Sequence, residues 1–128
     1  MALVSEADLK KIIVDGDNET LVAQAERVGS ELARQLTTSQ IRGIFGSVRR
    51  IELDWRNAER RAAAQREFAL LQPRLAYQAR KERGRGVEEL RDVLTPAMRM
   101  VGADEQRFRN FVDFFEAILA YHRAAGGQ

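Results

Sequence analysis

Few side chains in this sequence could carry chemistry: one histidine, His122, and a large complement of arginine, eighteen of the 21 basic residues. A lone histidine can serve as a general acid or base, or as a metal ligand. Both roles need partners. On a helix, Asp113 projects about 180° away from His122 and Glu116 about 120° away, so local carboxylates do not converge on the ring. Neither H-E-x-x-H nor the Glu-x-x-His of di-iron bundles is present. Phe108, Phe111, Phe115, Ile118 and His122 recur at helical spacing, which reads as one apolar face with a histidine in the core. The chain has no cysteine, which removes thiolate zinc sites, iron–sulfur clusters, disulfides and cysteine nucleophiles. No G-x-S-x-G elbow occurs, and Gly43, Gly46, Gly84 and Gly86 fall in no phosphate-loop pattern. The expectation is a protein with no catalytic residue, no metal and no cofactor.

The arginines suggest a different chemistry. On a helix, Arg42, Arg49, Arg56 and Arg60 lie within roughly 40° of one another over about 27 Å. A row of guanidiniums can follow a phosphate backbone and release its counterions, with binding that falls steeply as salt rises. A second basic stretch runs from Leu70 to Gly86, LLQPRLAYQARKERGRG. If Pro73 opens a helix there, Arg74, Tyr77, Gln78, Lys81 and Arg85 fall on one face, with Leu71, Leu75 and Ala79 on the next. Arg83 and Arg85 then belong to a glycine-rich basic loop. The alternative is a solvated surface whose arginines pair with Glu52, Glu59, Glu67 and Glu82, since surface ion pairs contribute little either way. Codon usage in a high-GC genome would also enrich arginine. No base-reading motif accompanies the basic residues, so any nucleic acid would be held by backbone and shape.

The charge is concentrated where these candidates lie. Residues 1–41 carry four basic and seven acidic side chains, residues 42–91 thirteen and seven, and residues 92–128 four and five. The length of 128 residues suits a single domain, and a composition of 45% hydrophobic and 31% charged residues suits a folded chain. No apolar run reaches the roughly 18 residues of a membrane span, and the N-terminus carries no signal-peptide pattern. The expected location is the cytoplasm of a prokaryotic cell, with no membrane partner.

Helices must position these residues, because no strand pattern appears anywhere. Ser5 and Asp8 resemble a capping box for a short helix ending near Gly16. Asp17 or Asn18 caps the next, in which Leu21, Ala25, Val28, Leu32 and Leu36 recur. Thr37 and Gln40 form a second capping signature. From there Ile41, Ile44, Val48, Ile51, Trp55, Ala58 and Ala62 keep one face apolar, in a helix that either runs about 30 residues or breaks once near Asn57. Val87 to Met100 is helical, with Pro96 kinking or restarting it. Asp104 caps the last helix, expected to be the most buried, with Phe114 and Tyr121 at the edge of its apolar face. The predicted fold is all-α: a compact bundle of five to six helices with one long central helix, in which 1–36 are N-terminal helices, 37–86 basic central helices and 87–128 C-terminal helices.

Three segments together carry a resemblance. LTTSQIR (Leu36 to Arg42), LLQPRLAYQARK (Leu70 to Lys81) and FRNFVDFFEAILAYHRAAGG (Phe108 to Gly127) resemble, in order and spacing, the small helical subunit of type III-A CRISPR effector (Csm) complexes. The resemblance covers residues from about 36 to the C-terminus. It implies a non-catalytic subunit present in several copies, whose basic side chains contact the target RNA paired with the CRISPR guide RNA. Its implied partners are those RNAs, the other effector subunits and neighbouring copies of itself. By position it assigns RNA contact to Arg42, Arg74 and Lys81, with Arg49, and a structural role to Tyr77 and the segment Phe111 to His122. The stretch from Trp55 to Glu67 departs from the family pattern, which places Arg56 and Arg60 outside that assignment. A helical protein-interaction module with only incidental RNA binding is the competing expectation.

Overall fold

The computed structural model describes residues 3–82 and 84–128, and among them every regular element is helical. In chain order these are α1 (Glu6–Ile13), α2 (Asn18–Leu32), α3 (Thr38–Arg56), α4 (Arg61–Lys81), α5 (Gly86–Val101) and α6 (Glu105–Ala124). Four of the six start on a side-chain cap. The hydroxyl of Ser5 accepts from the Asp8 N–H, Asp17 from Thr20, Thr37 from Gln40 and Asp104 from Arg107. At α3 the box is reciprocal, since the Gln40 amide oxygen accepts from the Thr37 backbone N–H at 2.9 Å. Each cap satisfies donors that a helix start otherwise leaves open.

One continuous core receives side chains from all six helices. The element at its centre is α6, which packs against α1, α2, α3 and α5. Its Phe108, Phe111, Phe114, Phe115 and Ile118 are all buried. Phe114, expected at an edge, is as enclosed as the others, because neighbours cover α6 on several sides. The closest approach is to α2. A Cβ on Gly29 would lie 2.7 Å from the Ile118 carbonyl oxygen and 2.8 Å from the His122 backbone nitrogen, so only hydrogen fits there.

The segment from Thr38 to Lys81 does not form one long helix. It breaks at Asn57, whose backbone is extended (φ −87°, ψ 118°). The Asn57 side chain accepts from the Glu59 N–H at 2.9 Å, which is how asparagine competes with helical hydrogen bonding. Helices α3 and α4 therefore fold back as a hairpin. Trp55 at the end of α3 stacks on Phe108 (4.1 Å between centroids, 8° between planes), and Phe68 of α4 meets it edge-on at 6.0 Å. The turn removes Ala58 and Ala62 from the apolar face expected for them, and both are exposed.

Both prolines lie inside helices. Pro73 does not open a helix, and α4 starts twelve residues earlier, at Arg61. Its ring is exposed, as is Ala69 four residues back, so water can serve the carbonyl that loses its donor. Burial of Ala64, Phe68, Leu71 and Leu75 outweighs the missing bond. Pro96 likewise leaves α5 continuous from Gly86 to Val101, with Val93, Leu94, Ala97 and Met98 buried around it.

Candidate nucleic-acid interface

Helices α3 and α4 carry most of the basic residues singled out in the sequence. Arg42, Arg49 and Arg56 follow one another at intervals of seven on α3 and are exposed, as the apolar Ile41, Ile44, Val48, Ile51 and Trp55 on the opposite side dictate. Arg60 is separated from them by the Asn57 turn and stands at the start of α4. It therefore extends the row around the hairpin tip instead of along one helix. Arg74 and Lys81 are exposed on α4, and Arg85 is exposed immediately before α5. Arg83 lies outside the described residues.

Four of these guanidiniums already have carboxylate partners. Arg49 and Arg56 share Glu52, at 2.8 and 3.5 Å; Arg60 meets Asp54 at 3.5 Å and Arg74 meets Glu67 at 2.7 Å. The solvated-surface expectation was thus right about Glu52 and Glu67. These pairs are exposed on the arginine side and hold each head group in place at little net energy, so a phosphate can compete for them. Arg49 also lies 5.6 Å from the centre of the Phe45 ring, and Phe45 in turn meets Phe115 edge-on at 5.1 Å. That sequence of contacts anchors the middle of the α3 row on α6. Between Arg49 and Arg56, Leu53 stands 64% exposed.

The hairpin also encloses a cleft of about 480 Å³. Ile44 and Ile51 of α3 and Leu71 and Leu75 of α4 form its apolar floor, and Arg50, Asp54, Glu67 and Arg74 are among its rim. Arg50 was not among the sequence candidates. It projects about 80–120° around α3 from Arg42, Arg49 and Arg56, so the row and the cleft are separate features of the same helix. The sequence signal for it is the succession Gly43, Ser47, Arg50, Asp54, one face with two small residues that leave the cleft open. Arg74 borders the same cleft because the Asn57 turn folds α4 back on α3.

An acidic group borders the row. Partial desolvation raises the exposed Asp113 carboxyl above the ordinary carboxylate range, with Glu116 and Glu52 adding to the effect and Arg109 and Arg49 opposing it. The folded chain therefore binds this proton more tightly than the unfolded chain, and stability falls as pH rises through the interval between the two values. At neutral pH the charged Asp113 is a small liability. Asp113→Asn will stabilise the fold there by less than about 1 kcal/mol, because the group is well solvated. Urea unfolding at pH 7 and pH 3 checks this, since the gain should vanish where the carboxyl is protonated in both states.

His122 takes no part in this surface. It is fully buried, and its Nε2 lies 2.6 Å from the Leu36 carbonyl oxygen. A carbonyl can only accept, so Nε2 carries the proton. The ring is covered by the returning tail, where the Gly127 N–H donates to the His122 carbonyl at 2.9 Å and Thr38 Oγ1 donates to the Gly127 carbonyl at 3.0 Å. The histidine thus joins the α2–α3 connection to the end of α6. Among the described residues no group of three or more His, Asp or Glu is placed to hold a metal ion. No described helix is long and apolar enough to cross a membrane.

Tyr77 contradicts the structural role that the resemblance implied. It is 69% exposed, because the side of α4 that meets the core runs through Phe68, Leu71, Leu75 and Ala79. The Phe111 to His122 segment of α6, by contrast, buries Phe111, Val112, Phe114, Phe115, Ile118 and His122.

The described residues form an all-α bundle whose exposed cations line two adjacent helices, with the single histidine held in the core. The family model described as Csm2 Type III-A matches residues 15–128, well beyond the three motifs and through the whole of α2. The chain belongs to the Csm2 family, and is thereby a small subunit of the multisubunit type III-A CRISPR effector complex. No curated protein and no solved structure matches it.

Proposed function

We propose that this subunit is a non-catalytic scaffold, present in several copies, that grips the phosphate backbone of target RNA paired with the CRISPR guide. The observation that carries this reading is the exposure of Arg42, Arg49, Arg56, Arg60, Arg74, Lys81 and Arg85 on one helical hairpin and the loop after it, in a chain of this family. Arg83, in the same basic loop sequence, belongs to the proposed set. Guanidinium forks suit phosphate oxygens, and contacts confined to the backbone fix position without reading sequence. Each neutralised phosphate contributes counterion release, so the affinity must depend steeply on salt.

Reversing the charge at Arg49 and Lys81 together tests the proposal. Binding to RNAs of unrelated sequence should fall at least about tenfold at low salt, by a similar factor for each, and the slope of log K against log salt should shrink by about 1.4 or more for two lost contacts. Unchanged affinity would end the RNA reading. The exposed Leu53 between Arg49 and Arg56 favours a second reading, in which this face docks on another subunit. Assembly measured after removal of RNA separates the two: failure of the charge-reversed subunit to join the complex without RNA would favour docking.

A further inference from the structure

Among the aromatic side chains of this subunit, Tyr77 is the one turned to solvent. Trp55, Phe68, Phe108, Phe111, Phe114 and Phe115 are all buried, while Tyr77 is 69% exposed. An aromatic ring left in water on a helix whose other large apolar groups are buried or half-buried has something to cover it, or is tolerated as an isolated surface residue. Its neighbours decide between these. Arg74 lies three residues before it, and Arg80 and Lys81 lie three and four residues after it, so all three project from the same half of α4 as the ring. All three are exposed. Pro73 and Leu70 complete an apolar border beside the ring on the N-terminal side. Arg74 and Lys81 are separated by about 10.5 Å along the axis, and the ring stands between them.

We infer that Tyr77 is a stacking platform for an unpaired nucleobase, with Arg74, Arg80 and Lys81 holding the phosphates that flank that base. The inference rests on the RNA-binding reading above and extends it to a contact that the backbone cations cannot make. Aromatic rings with flanking cations are the means by which single strands are held without sequence preference, because every base offers a π-face. A base inside a duplex offers none. The Tyr77 contact therefore distinguishes unpaired RNA from duplex RNA, whereas the arginine row of α3 binds both through phosphates. A protein partner is the poorer fit, since the cations that surround the ring would each need an acid around one small apolar spot.

The test uses the full chain with three labelled RNAs of about twenty nucleotides at low salt: an oligoadenylate, the same strand with abasic sites, and a duplex. Fluorescence anisotropy gives the affinities, and circular dichroism confirms that each variant keeps its helical content. Tyr77→Ala should weaken binding of the oligoadenylate by about five- to a hundredfold and change the abasic strand and the duplex by less than about twofold. Tyr77→Phe and Tyr77→Trp should bind the oligoadenylate as the native chain does. Equal losses on all three RNAs, or no loss on the oligoadenylate, would overturn the inference. If Tyr77→Ala is silent while charge reversal at Arg49 and Lys81 weakens all three, the stacking role fails and the backbone role survives. If neither variant alters any affinity, the RNA reading itself fails. If Tyr77→Ala leaves RNA affinity intact but prevents entry into the complex, the ring is a protein-docking residue and the inference is wrong.

Discussion

Phe68→Ala will cost the fold about 3–5 kcal/mol, the largest loss expected from any single substitution of a residue remote from the basic surface. Phe68 is buried and its ring meets three others: Trp55 at 6.0 Å, Phe108 at 5.0 Å and Phe111 at 5.3 Å, each edge-on. Truncation removes the apolar transfer term and leaves a cavity walled by rings that are held from two other helices. Such walls collapse poorly. Loss of the edge-to-face contacts adds to the cavity term. Phe68 also attaches α4, with Arg74 and Lys81, to the rest of the bundle, so weaker RNA binding should accompany the lost stability. Urea unfolding followed by circular dichroism measures the first effect. If the midpoint moves by less than about 1 kcal/mol equivalent, the ring cluster is not the structural centre of the hairpin.

Gly29→Ala sets two effects against each other. Alanine gains up to about 1 kcal/mol over glycine inside a helix. Against that, the new methyl would sit 2.7 Å from both the Ile118 carbonyl oxygen and the Tyr121 Cβ. Two of the three nearest atoms are backbone of α6, which cannot rotate aside, so α2 must move away from its most extensive neighbour. Overpacking of this kind costs typically 1–3 kcal/mol, and after the propensity gain the net result should be a loss of up to about 2 kcal/mol. Gly43 provides the opposite sign. Nothing lies within 4 Å of a Cβ there, and Gly43→Ala should gain about 0.5–1 kcal/mol. The pair, compared by chemical denaturation, isolates the clash from the propensity. Equal stabilisation by both would show that α2 and α6 are not packed as described.

The residues that announced their structure did so through local chemistry. Thr37 with Gln40, Asp104, and the Ser5 hydroxyl are caps whose partners lie within three residues, and each forms as the sequence predicts. The apolar rows of α2, α3 and α6 repeat every turn, so their buried faces were legible too. Pro73 and Asn57 were harder to weigh. A proline is a strong local signal, yet its cost here is one solvated carbonyl, while the Phe68 and Leu71 that carry the helix through it are rewarded only by distant partners. Asn57 was visible as one of two alternatives, and tertiary packing of Trp55 on Phe108 selects between them. Tyr77 is the same lesson on the surface: its periodicity says which face it shares, but whether that face is covered depends on which neighbours the chain brings. For Arg50 the small-residue face of Gly43 and Ser47 is the only local sign, and the cleft it borders forms only between two helices.

The position of α4 has a further consequence. It packs chiefly on α3 and α5, whereas α6 is surrounded by α1, α2, α3 and α5. Local opening draws on the elements with the fewest buried neighbours, so α4, with two main partners against the four of α6, opens before α6 does. Arg74 and Lys81, among the side chains proposed to hold RNA, are carried by that helix. A ligand that spans α3 and α4 would hold the two helices together, and the backbone amides of α4 would record its arrival by exchanging with solvent more slowly.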